Sequence, residues 1–149
     1  MIISLLLWSV AQAASPPPVP ARLPLISCNV GVAMFAPRSD AVDTRTAREL
    51  DRVSAAISFA FSSDGVMLVV QPHPVTLEPA DVTKQREIAD GRGENVRQYM
   101  AAHGLPADRI TIRPAVTDPR IPDNWGDGAL LMLEMPSDTW DRLNLKDVC

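Results

Sequence analysis

The stretch from Ile88 to Ile112, IADGRGENVRQYMAAHGLPADRITI, constrains this chain more than any other. It reads as an amphipathic helix, a stop at His103-Gly104-Leu105-Pro106, and then a short strand. Wound at ~100° per residue, Ile88, Arg92, Val96, Tyr99 and His103 fall within ~80° of one another. An arginine therefore lies in the middle of the face that should pack. A buried guanidinium needs an anion or carbonyls to offset its desolvation. Two readings follow for Arg92: it snorkels or pairs with a carboxylate of its own chain, or it binds a ligand.

The rest of the chain supplies partners for that helix. Asn29 to Phe35 is apolar and β-branched and predicts a first strand, ended by Pro37. Asp43 or Thr44 caps a helix running to about Ala60, whose apolar face is Leu50, Val53, Ile57 and Phe61. Val66 to Val70 is an unbroken apolar run, suited to an interior strand. A proline-rich loop spans Gln71 to Asp81, and the second helix starts between Asp81 and Gln85 and reaches about Ala102. Gly91 and Gly93 inside it each cost up to ~1 kcal/mol relative to Ala, so they mark close approach by a neighbouring backbone or ligand, or serve no purpose. Arg109 to Arg113 is a third strand and Ala129 to Met135 a fourth, separated by a long loop containing Trp125. Ser137 caps a short final helix through Trp140 and Leu143. The expected order is β-α-β-α-β-β with a terminal helical turn. Helical crossovers between strands imply helices on one sheet, hence an α/β two-layer sandwich with at least one parallel strand pair.

With 149 residues and 46% hydrophobic positions, the chain suits a single domain with a real core, expected over residues 27–149. A net charge of −4, a pI near 5.0 and the lack of a basic, aromatic-interleaved stripe argue against nucleic acid. Residues 1–13 read as a signal peptide: Ile2 to Val10 is apolar and Ala11-Gln12-Ala13 gives the small-x-small cleavage pattern. The apolar run is too short for a permanent membrane span. Residues 14–26 form an extended lead-in, rich in proline. Export gives the two cysteines, Cys28 and Cys149, a meaning: an even pair in an oxidising compartment reads as a disulfide. Leu25-Ile26-Ser27-Cys28 also formally matches a lipobox, although Ser15 to Pro20 separates it from the apolar run it should follow.

Chemistry-bearing motifs are sparse. His73 and His103 have no ligand spacing to another His or Cys, so no metal site is expected. No nucleophile elbow, phosphate loop or paired-carboxylate motif occurs, and neither a catalytic residue nor a cofactor is expected. A His73 enzyme assisted by Glu78 or Asp81 rests only on their closeness in sequence.

The helix and its flanks resemble the OmpA-like periplasmic domain family. Phe35, Ser39, Leu50-Asp51, Val53 and Ile57 follow that family's first strand and helix. Its second-helix pattern, Leu-Ser-x-x-Arg-Ala-x-x-Val-x-x-Tyr-Leu, is matched by Ile88 through Met100, and its Gly turn and Arg-Ile strand by Gly104 through Ile110. The resemblance implies a β-α-β-α-β-β sandwich, a non-catalytic role in the periplasm, with outer-membrane association left open, and a partner that is peptidoglycan or an envelope protein. It gives Arg92 the place of the arginine that grips the diaminopimelate carboxylate of the stem peptide, and a guanidinium suits a carboxylate through its bidentate fork. The chain departs from the family where an Asp should assist: Pro74 holds that position, or Leu77 by spacing. Glu78 or Asp81 is the candidate stand-in. The family's Asn-Arg-Arg before the last strand is replaced by Asp127-Gly128-Ala129. The alternative is a protein-interaction or spacer module that has lost the wall ligand.

Overall fold

The computed structural model describes residues 23–73, 81–115 and 127–149. Strand β1 (Leu25–Met34) is followed by helix α1 (Thr44–Ile57), strand β2 (Met67–Pro72) and helix α2 (Val82–Ala102). Strands β3 (Ile110–Ile112) and β4 (Gly128–Pro136) and helix α3 (Ser137–Leu143) complete the order. The strands form one sheet in the order β1-β4-β2-β3. β2 and β3 are parallel, joined through α2 as a helical crossover requires, while β4 inserts between β1 and β2 and is antiparallel to both. This is the expected α/β sandwich with a short C-terminal helix.

The core lies between the sheet and the helices. Leu50, Val53 and Ile57 of α1 and Val96 and Met100 of α2 meet Leu68, Val70, Leu131, Leu133 and Met135 of the sheet, all fully buried. Side chains of this kind each contribute roughly 1.5–3 kcal/mol on burial. Phe61, expected on the same face of α1, instead falls in a 3-10 turn (Ser58–Ser62) after the helix has stopped at Ile57, and is only partly buried. α1 starts where its cap predicts: Asp43 Oδ1 accepts from the backbone N–H of Arg45 and Thr46 at 2.9 and 2.8 Å. Thr46 Oγ1 also donates to Met34 O at 2.6 Å, tying the helix start to the end of β1. α2 stops at a left-handed Gly104 (φ +100°), with Leu105 N–H reaching back to Met100 O at 3.1 Å.

Three local expectations change. β1 begins at Leu25 rather than Asn29, because β4 runs to Pro136 and Leu25 pairs with Pro136 in the ladder. The last two residues of the expected lead-in thus belong to the sheet, and residues 1–22 lie outside the described part. Ser137 does not cap α3: Pro136 occupies the cap position, and Asp138 Oδ1 accepts from Thr139 N–H instead. β3 is shorter than expected, starting at Ile110 after a 3-10 turn over Ala107–Arg109. Cys28, on β1, is joined to Cys149, so the segment after α3 folds back with Leu145 in the core. A disulfided Cys28 carries no lipid.

Candidate functional site

Arg92 is the largest fully buried side chain among the described residues, 0% exposed in the third turn of α2. Among the described residues, three acceptors meet the guanidinium. Nε donates to Ser39 O at 2.7 Å, and Nη2 donates to Ala36 O at 3.3 Å and to Asp127 Oδ1 at 3.0 Å. The cation also lies 5.1 Å from the centroid of the Phe35 ring. Desolvation of the arginine is thus offset by two carbonyls, one carboxylate and an aromatic face.

The geometry straps the β1–α1 connection onto α2. Beside Arg92, Asn95 Nδ2 donates to Asp40 O at 2.8 Å, so the carbonyls of residues 36, 39 and 40 are all held by α2 side chains. Gly91 makes room for this, since a Cβ there would collide with the Asp40 carboxylate. Gly93 serves the opposite side of the helix, where a Cβ would come within 2.7 Å of Ile112 Cγ2 on β3. The two glycines that lower helix propensity therefore mark close approach by the chain itself.

Asp127 is the partner that sequence reasoning missed. It precedes β4, its own carbonyl accepts from Phe35 N–H at 2.8 Å, and its side chain remains 39% exposed while touching the buried arginine. The signal was an acid in the slot before the last strand, together with a packed arginine that required an anion. Of the expected helpers, Asp81 caps α2 by accepting from Lys84 N–H at 2.9 Å. It lies eleven residues before Arg92, about 16 Å along the helix axis, so the two are not brought together. Glu78, Pro74, Leu77 and Trp125 lie outside the described residues.

His73 is buried at the end of β2, where its backbone N–H donates to Gly128 O at 3.0 Å and burial pushes its imidazole below the usual range. His103 stacks on Tyr99 with ring centroids 4.0 Å apart, and Tyr99 donates its hydroxyl to Asp51 at 2.9 Å, linking α2 to α1. The acceptor role of Asp51 holds the Tyr99 phenol above its usual range. No group of three or more His, Cys, Asp or Glu able to hold a metal occurs among the described residues. No helix among them is long and apolar enough to cross a membrane.

No protein-family model matches the chain, and no curated protein matches it by sequence. Solved structures do. The C-terminal domain of Helicobacter pylori MotB aligns over 75% of this chain and 91% of its own, with a TM-score of 0.60 at 14% identity. The OmpA-like domain of FopA1 from Francisella tularensis aligns over 70% and 71%, with a TM-score of 0.52 at 15% identity. The fold is OmpA-like. The peptidoglycan-associated lipoprotein of Burkholderia pseudomallei shares it too, over 69% of this chain and 89% of that one, with a TM-score of 0.52 at 14% identity. At these identities the OmpA-like likeness concerns architecture and leaves residue roles to the geometry.

Proposed function

We propose that this OmpA-like chain is a non-catalytic module of the periplasm that binds an envelope protein or spaces an assembly. In it, Arg92 acts as an internal fastener and has ceased to grip a wall ligand. The observation that carries this reading is the engagement of the guanidinium by its own chain: fully buried, it donates from Nε to Ser39 O and from Nη2 to Ala36 O and Asp127. A stem-peptide carboxylate would have to displace Asp127 and expose the arginine. The likeness to a peptidoglycan-associated lipoprotein and to periplasmic domains of MotB supports the envelope setting.

A second reading keeps a stem-peptide grip at the same place. Its support is the exposure of Asp127 beside Arg92, which restores an acid–arginine pair with the acid drawn from the start of β4. Co-sedimentation of the purified protein with diaminopimelate-type peptidoglycan separates the two. Internal fastening predicts no pelleting above background for wild type or Asp127→Asn. Pelleting that Asp127→Asn abolishes, in a variant that stays folded, would overturn it in favour of the wall grip.

A further inference from the structure

A cavity of about 570 Å³ opens on the other flank of α2, between its first turns and the end of β3. Its lining includes Gln85, Arg86, Ala89, Asp90, Ile112 and Pro114. The volume falls within the range of small-molecule sites, roughly 300–1,000 Å³. It lies at the carboxyl end of β3, between that strand's last residue and the first turns of α2. Ala89 is fully buried at its base, and Ile112 beside it is half-buried, giving an apolar floor.

The rim carries opposite charges. Arg86 and Asp90 are one helical turn apart, about 6 Å between Cβ atoms, a spacing that ordinarily lets such a pair close on itself. Here neither forms an ion pair with the other or with any other group among the described residues. Arg113 also borders the cavity, but its guanidinium is committed to Glu134 at 2.5 Å across the sheet. A guanidinium and a carboxylate stand open, one turn apart, over an apolar floor.

We propose that this cleft binds a small zwitterion with an apolar side chain, a free α-amino acid. The ligand carboxylate pairs with Arg86, its ammonium with Asp90, and its side chain rests on Ile112 and Pro114. The site is separate from Arg92, which faces the β1–α1 connection, so the proposal stands whichever reading of Arg92 holds.

The test is a titration of the isotope-labelled protein with L-leucine, N-acetyl-L-leucine and L-leucinamide, following the amides of residues 85–90 and 112–114. Leucine is expected to give saturable shifts below about 10 mM, a weak affinity typical of one small ligand. Removing either ligand charge should weaken binding about tenfold or more, the loss expected for one charge-assisted bond. Arg86→Gln and Asp90→Asn, both at exposed positions, should each do the same while the remaining spectrum is unchanged. No saturable shift with leucine, equal binding of N-acetyl-leucine, or variants that bind like wild type would each overturn the proposal.

Discussion

Replacing Arg92 by methionine isolates the guanidinium, because the new side chain still fills much of the stem's volume. The substitution removes a 2.7 Å charge-assisted bond to Ser39 O, a longer 3.3 Å bond to Ala36 O and the 3.0 Å pair with Asp127. Bonds to charged groups contribute about 1.5–3 kcal/mol each, and relief of the arginine's own desolvation returns part of that sum. A net destabilisation of about 3 kcal/mol is expected, against a total of roughly 5–15 kcal/mol for a domain. Asp127→Asn should cost less, about 1 kcal/mol, because that side chain is 39% exposed and solvent already screens it. The assay is urea unfolding with the Cys28–Cys149 bond oxidised, the two single variants and the double variant being compared. An arginine kept for a ligand predicts the reverse, since removing a functional group tends to leave stability unchanged or raised. A loss below about 1 kcal/mol for Arg92→Met would refute the fastening argument.

Other consequences are as direct. Gly93→Ala should destabilise by about 1–2 kcal/mol, because Ile112 must give way and that overpacking exceeds the gain in helix propensity. Gly91→Ala should destabilise by about 1 kcal/mol in the same unfolding assay, since a Cβ there would meet Asp40 Cβ at 3.1 Å as well as the movable carboxylate, on a backbone that Asn95 holds in place. Reducing the disulfide, whose cysteines are 121 residues apart, should lower stability by about 4 kcal/mol in the chain-entropy model, visible as a lower urea midpoint under reductant. His73, held below its ordinary 6.5 by burial, binds its proton more readily in the unfolded chain. Stability should therefore be full above pH 6.5 and decline as the pH falls below it, a decline that His73→Gln should reduce in urea midpoints measured from pH 7.5 to 5.

How far the sequence foretold this depends on whether an interaction is local. The i,i+3/i+4 spacing of Leu50, Val53 and Ile57 and the Asp43 cap placed the start and inner face of α1, though not its end at Ile57, because both are properties of a few adjacent residues. The packed arginine was legible for the same reason, since helical periodicity alone put Arg92 on the inner face. Its partners were not. Ser39 and Asp127 are 53 and 35 residues away, and they reach Arg92 only because β4 inserts between β1 and β2. Periodicity does not carry strand order. The early start of β1 has a similar origin, as Leu25 is extended by pairing with Pro136 at the far end of the chain. The two glycines signalled close approach, but only the packed structure identifies the neighbours as Asp40 and Ile112.

The Arg92 Nε–H, 2.7 Å from Ser39 O, reports directly on whether the guanidinium is held within the chain. An internally fastened arginine should give a sharp, slowly exchanging Nε–H signal. Adding a diaminopimelate-containing stem tripeptide to about 5 mM, beyond a Kd of ~1 mM, should leave that signal unmoved. A fast-exchanging signal, or one that shifts saturably with the tripeptide, would contradict the account and return Arg92 to the role of a ligand-binding residue.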